Sequence, residues 1–179
     1  MAKIGQPRTV AIIPAAGRGL RMGSGTPKQY LALGGLPVLV HSLRVFVASE
    51  SVTDVVLVVP EADREFCSDE IVSRHGFAKV THIVAGGKQR QDSVRNALEI
   101  LENHVEFIVI HDAVRPFLTA DLVRHVVEKA AQYGAAVAAI PMRDTVKQAG
   151  GSGMIEGTVD RSRLWLAQTP QAFSLALLS

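Results

Sequence analysis

Short apolar runs of strand length alternate along this chain with stretches whose apolar residues recur at helical spacing. Five runs read as strands: Thr9 to Pro14, Asp54 to Pro60, Val80 to Val84, Glu106 to Ile110 and Ala135 to Pro141. All are short and apolar, and most are rich in β-branched side chains. From Asp92 onward, Val94, Ala97, Leu98 and Leu101 fall at i, i+3, i+4 and i+7, one face of a helix. Behind Thr119, a good N-cap, Leu122, Val123, Val126, Val127 and Ala130 form a second such face. Less regular helices are expected over Val38 to Ala48 and Ala62 to His75. Strand–helix alternation of this kind predicts an α/β domain over 1–179, doubly wound around a mostly parallel sheet. Ligands of such sheets lie beyond the carboxyl ends of the strands, so the segments just after each strand are where chemistry is sought.

Beyond Pro141 the alternation stops. Met142 to Gln148 and Ile155 to Arg161 read as two strands around Gly150-Gly151-Ser152-Gly153, a hairpin at about 142–161. It is too polar to make a core of its own and is expected to rest on something else.

The first strand runs straight into Pro14 to Lys28, which holds Gly17, Gly19, Gly23 and Gly25 together with Arg18, Arg21 and Lys28, and no acid. Glu50 is the first acidic residue of the chain, after six cations. Small residues let backbone N–H groups approach a bound anion closely. The spacing fits neither a P-loop nor a dinucleotide fingerprint, whose third glycine would fall at Met22. An ordinary glycine-rich connection with solvated cations is the plain alternative.

Two later loops also follow strands. Gly86-Gly87-Lys88-Gln89-Arg90-Gln91-Asp92-Ser93 is either a turn with a capping acid or a loop whose N–H groups and Ser93 hydroxyl read the edge of a base. In His111-Asp112-Ala113-Val114-Arg115-Pro116, Asp112 is either a turn former or a hard oxygen ligand for Mg²⁺ on a triphosphate.

Composition narrows the partners. The 179 residues are 47% hydrophobic and 20% charged, an ordinary globular balance that argues against disorder. Net charge is only +2, with no basic stripe interleaved with aromatics, so nucleic acid is not expected. The apolar runs fall short of the ~20 residues a membrane span needs, so no membrane is expected either. The N-terminal stretch shows no apolar signal segment of its own. The single cysteine, Cys67, offers no disulfide framework and suits a reducing cytoplasm.

A series of spaced motifs resembles the 2-C-methyl-D-erythritol 4-phosphate cytidylyltransferases of the nucleotidyltransferase superfamily. They are Ala15-Ala16-Gly17-x-Gly19-x-Arg21-Met22 with Pro27-Lys28-Gln29-Tyr30-Leu31, Gly86-Gly87-x-x-Arg90-x-Asp92-Ser93-Val94, and His111-Asp112-Ala113-x-Arg115-Pro116. Arg143-Asp144-Thr145-x-Lys147, Val159-Asp160-Arg161-Ser162 and Leu164-Trp165-x-x-Gln168-Thr169-Pro170-Gln171-x-Phe173 follow in order. The resemblance runs from about Thr9 to Phe173. It departs at Val114, where alanine is commoner.

This resemblance implies a Rossmann-like fold with a protruding β-hairpin arm, and cytidylyl transfer from CTP to 2-C-methyl-D-erythritol 4-phosphate with release of pyrophosphate. Arg21 and Lys28 become the catalytic residues. Ala15, Ala16, Gly17, Arg18, Gly19 and Ala113 become nucleotide-binding, and Gly87, Lys88 and Ser93 contact the cytosine. Asp112 lies near the Mg²⁺ and the acceptor. Thr145 and Arg161, on the arm, reach the site of a second subunit and imply a homodimer. The same resemblance implies a further C-terminal piece with a phosphate-binding lysine, since the chain ends at Leu177-Leu178-Ser179 in an apolar segment expected to be helical. Two other readings stay open: an enzyme for another polyol phosphate such as ribitol 5-phosphate, and a non-catalytic nucleotide-binding paralogue.

Overall fold

A computed structural model describes residues 7–17, 26–102 and 104–178. Arg18, Gly19 and Arg21 lie outside these described residues. The five expected strands form as β1 (Thr9–Pro14), β4 (Asp54–Val59), β5 (Val80–Ala85), β6 (Phe107–Ile110) and β7 (Ala135–Pro141). Between β1 and β4 come a two-residue hairpin, β2 (Ala32–Leu33) and β3 (Leu36–Pro37), and helix α1 (Val38–Ala48). Gly34 and Gly35, with φ of +58° and +80°, make the turn between β2 and β3.

The main sheet has the order β5-β4-β1-β6-β10-β7. Its sixth strand, β10 (Trp165–Ser174), is absent from the sequence-based expectation. It runs antiparallel between β6 and β7, while β5, β4, β1 and β6 pair in parallel. Gln168, Thr169, Pro170 and Gln171 break its apolar pattern, and the register with β7 shifts between Ala167 and Gln171. A bulge there accommodates a proline that a regular central strand excludes.

Three further expectations are refined. The helix read over 62–75 is a 3₁₀ turn (Glu61–Asp63), one α turn, α2 (Arg64–Phe66), and a π-helix (Cys67–Ser73). Helix α3 (Arg90–Leu98) starts two residues before Asp92, capped by Gln89. The chain's last described segment is a 3₁₀ turn, Leu175–Leu177. Helix α4 (Ala120–Tyr133) begins as expected: the Thr119 Oγ1 accepts the Leu122 N–H at 3.2 Å. It ends at Gly134, whose φ of +87° few other residues adopt.

The sheet is covered on both sides. Leu39, Val40, Leu43 and Phe46 of α1 join Cys67, Ile71 and the inner face of α4 in one core, against Ala11, Ile13, Val55 and Leu57. On the other side Ala97 of α3, with Val94, Leu98 and Leu101, packs on Val10, Ile12, Val56 and Ile108. β1 is buried almost throughout, as a central parallel strand should be. The expected hairpin forms from β8 (Val146–Ala149) and β9 (Ile155–Val159), as a two-stranded sheet separate from the main one. No helix among the described residues is long and apolar enough to cross a membrane.

Candidate active site

Loops leaving the carboxyl ends of β1, β5 and β6 meet around one cleft of about 1140 Å³. Neighbouring strands hold the loops in place. The Ala15 N–H donates to the Val58 carbonyl at 2.6 Å, the Gly86 N–H to Val59 at 2.8 Å, and the His111 N–H to Ile12 at 3.1 Å. Ala15 and Ala113 line the cleft, yet they are 4% and 1% exposed. With the Ala15 amide engaged by Val58, Ala15 contributes wall. Ala16 and Gly17 beyond it line the cleft as well.

The first and second loops touch because Gly86 has no side chain. A Cβ there would lie 2.2 Å from the Ala16 Cβ and 3.0 Å from the Ser93 Oγ. In the second loop Gln89 N–H donates to Asp92 Oδ2 at 2.9 Å, so Asp92 is the capping acid of α3. Ser93 is 3% exposed, accepts from the Gly87 N–H at 3.1 Å and donates to the Gln89 carbonyl at 3.2 Å. Its hydroxyl therefore fixes the loop's shape while still lining the cleft. Gly87 and the exposed Lys88 line it too.

Lys28 enters from a 3₁₀ turn, Lys28–Tyr30, closed by the Tyr30 N–H to the Pro27 carbonyl at 2.9 Å. The turn is anchored outward by Tyr30. Its hydroxyl donates to Asp63 Oδ2 at 2.9 Å and lies 3.2 Å from Cys67 Sγ, and its ring meets Phe66 edge-on at 5.3 Å.

Asp112 sits between two guanidinium groups. Arg90 Nε donates to its Oδ1 at 2.9 Å and Arg115 Nε to its Oδ2 at 3.1 Å. Burial on its own would raise the Asp112 pKa, but hydrogen bonds and charge from Arg90 and Arg115 outweigh it and hold the carboxyl below its usual range. Arg115 also donates to Gln168 Oε1. Behind Asp112, burial holds the His111 pKa below its ordinary value, because it disfavours the charged form.

The cleft thus gathers Ala15, Ala16, Gly17, Lys28, Gly87, Lys88, Ser93, Asp112 and Ala113. It does not gather Thr145 and Arg161, which are exposed at the base of the arm, with Arg161 donating to the Arg143 carbonyl. Arg90 and Gln29 also line the cleft without having been assigned from sequence. Arg90, in the first turn of α3, opposes the helix dipole, and the Asp112 carboxylate offsets its charge.

Residues 9–179 match the family model described as IspD: 2-C-methyl-D-erythritol 4-phosphate cytidylyltransferase. A curated relative of that name from Syntrophus aciditrophicus is 48% identical over 168 residues, covering 94% of this chain and 72% of the relative. Another from Pelotomaculum thermopropionicum is also 48% identical, over 166 residues, with 93% and 70% covered. Among solved structures, 4-diphosphocytidyl-2C-methyl-D-erythritol synthase from Anaerococcus prevotii is 28% identical, with a TM-score of 0.83 over 98% of this chain and 73% of that one. The 2-C-methyl-D-erythritol 4-phosphate cytidylyltransferase of Thermus thermophilus is 31% identical, with a TM-score of 0.70 over 96% and 72%.

Proposed function

The chain belongs to the 2-C-methyl-D-erythritol 4-phosphate cytidylyltransferase family, and from that premise we propose how its own residues divide the work. The reaction is transfer of the cytidylyl group of CTP to 2-C-methyl-D-erythritol 4-phosphate. It yields 4-diphosphocytidyl-2-C-methyl-D-erythritol and pyrophosphate, for isoprenoid precursor synthesis. The observation that carries the division of roles is the meeting of Lys28, Lys88 and the Arg90–Asp112–Arg115 group at the mouth of three strand-end loops.

A phosphate oxygen of the acceptor attacks the α-phosphorus of CTP in line. A new P–O bond forms as the bond to the β-phosphate breaks, and pyrophosphate departs on the opposite side. The attacking phosphate is already ionised near neutral pH, so no side-chain base is required. Catalysis then consists of alignment and charge neutralisation. Lys28 supplies a fixed cation to the α-phosphoryl and the leaving pyrophosphate. Arg21, and with it Arg18 and Gly19, joins this set by family resemblance alone. The amides of Ala16 and Gly17 hold the phosphate chain, and the Gly87–Ser93 loop, with Lys88, holds the cytosine.

The donor set suits a Mg²⁺ that arrives on the triphosphate. Asp112 stays ionised, and Mg²⁺ is commonly held by one carboxylate, nucleotide oxygens and water. Asp112 would hold it, and the ion would supply charge neutralisation at the phosphates. Asp112 also orients the acceptor through the guanidinium groups of Arg90 and Arg115.

Thr145 and Arg161 act in the cleft of a second copy, making a homodimer. The arm supports this reading because it carries Met154 and Ile155, 71% and 65% exposed. Val137, Ile140, Trp165 and Leu166 on the neighbouring sheet edge are exposed as well. The lone buried Cys67 thiol fits an enzyme of the reducing cytoplasm.

Pyrophosphate release tests the assignment. It should require CTP rather than ATP, and methylerythritol phosphate rather than ribitol 5-phosphate. Equal turnover with both acceptors would refute the substrate assignment.

A further inference from the structure

Gln29 has no role in the mechanism above, yet its side chain is the least expected in the cleft. It lies in the middle of the Lys28–Tyr30 turn, lines the cleft beside Lys28, and is only 1% exposed. Among the described residues its Nε2 has no hydrogen-bond partner. A buried amide donor left unmatched destabilises a protein, so such a group calls for a reason.

The turn does not let Gln29 escape to water. On one side the Tyr30 N–H binds the Pro27 carbonyl at 2.9 Å, and on the other the Leu31 N–H binds Lys28 at 3.3 Å. The Tyr30 hydroxyl then ties the turn to Asp63 and Cys67. Gln29 is therefore held desolvated in the wall of the cleft, its amide donor unmatched.

We propose that Gln29 is a nucleotide-binding residue whose Nε2 donates a hydrogen bond to a phosphate oxygen of bound CTP, beside Lys28. This rests on the cytidylyltransferase reading and adds a donor to it. Phosphate oxygens are ionised acceptors, and a hydrogen bond to an ionised acceptor is stronger than a neutral one. A donor that is already dry gives that bond without first shedding water. Being neutral, the amide also does not repel the lysine next to it.

The test is calorimetric titration of the whole chain and its Gln29→Met variant with CTP and with inorganic tripolyphosphate, alongside an NMR titration with cytidine. Gln29→Met should weaken CTP and tripolyphosphate by about tenfold, or about 1.4 kcal/mol. Cytidine binding should stay unchanged, and the melting temperature of the nucleotide-free chain should hold or rise, since the orphan donor is gone. CTP affinity within about twofold of the parent, or an equal loss for cytidine, overturns the proposal. If Gln29→Met does not fold, Gln29→Asn, with its amide one methylene short, must show the same phosphate-selective loss. Protection of Lys28 and Lys88 from amine acylation by CTP in the parent chain checks the site itself. Without protection the reading of the cleft fails. With protection but no Gln29 effect, only this inference does.

Discussion

His111 and Thr169 are joined side chain to side chain across 58 residues of sequence, with His111 Nδ1 3.1 Å from Thr169 Oγ1. The same oxygen accepts the Asp112 N–H at 3.2 Å. The Arg115 carbonyl, 3.1 Å from Nε2, can only accept, so an uncharged ring carries its proton on Nε2 and the Thr169 hydroxyl donates to Nδ1. Thr169, on the irregular part of β10, thus holds the start of the loop that carries Asp112, and His111 ties that start to Arg115.

Thr169→Val keeps the shape and removes the hydroxyl. It leaves Nδ1 of a 1% exposed histidine without its donor, a loss of about 1–3 kcal/mol. The melting temperature should fall by several degrees and kcat/KM with it, while Thr169→Ser should restore most of both. Unchanged melting and activity in the valine variant would show that the bridge does not hold the loop.

Gly86→Ala should separate the first two loops of the cleft, because the new methyl would sit 2.2 Å from the Ala16 Cβ. Overpacking of this kind costs about 1–3 kcal/mol, and CTP affinity should drop as the walls part. Ala16→Gly in the same chain removes the opposing methyl and should recover part of the loss, since contacting residues couple. The recovery should be incomplete, given the 3.0 Å approach to Ser93 Oγ. Simple additivity of the two single changes would refute the contact.

The strands around the cleft were legible because β1 and β6 are apolar runs buried almost throughout and β5, at the sheet edge, is short and rich in β-branched residues, and the glycine and Asp112 loops stood at their ends. β10 was not, because Gln168-Thr169-Pro170-Gln171 hides a strand that only the bulge makes possible. Seven residues are too few to tell a π-helix from an α-helix by periodicity, so Cys67–Ser73 passed as ordinary helix. The roles of single residues within the cleft came from family resemblance. The pairings that brace it (Arg90 with Asp112, His111 with Thr169) depend on chain segments brought together only by folding.

Alkaline pH should loosen the Tyr30 anchor. Burial pushes the Tyr30 hydroxyl far above its ordinary value, helped by its hydrogen bonds to Cys67 and Asp63, and burial also raises the Cys67 thiol. Both groups keep their protons in the folded chain where the unfolded chain loses them. Stability from this pair is therefore full below about pH 8 and declines as pH rises through the unfolded values, about 8.5 for the thiol and about 10 for the phenol. Urea midpoints at pH 8 and pH 10 should differ more for the parent than for Tyr30→Phe. Equal differences would show that the tyrosine is not part of the effect.

On the proposed assignment, Lys28→Ala removes one fixed cation from the reacting phosphates. Loss of such a donor costs about 3 kcal/mol in the transition state, so kcat should fall about a hundredfold or more, with a smaller change in CTP affinity. Equal losses in both would reduce Lys28 to uniform binding of the nucleotide.

If the arm completes the cleft of a second copy, two dead chains should rescue each other. A Lys28→Ala chain has a defective cleft and an intact arm, whereas an Arg161→Ala chain has the reverse. In a mixed dimer, the intact cleft of the second faces the intact arm of the first, and the other site carries both defects. Random mixing at equal amounts makes half the dimers mixed, each with one good site of two, so activity should return to about a quarter of the parent's. Each variant alone should stay near its own low level, and light scattering should report a dimer throughout. Activity of the mixture no greater than the average of its parts would mean that Arg161 serves its own chain or none.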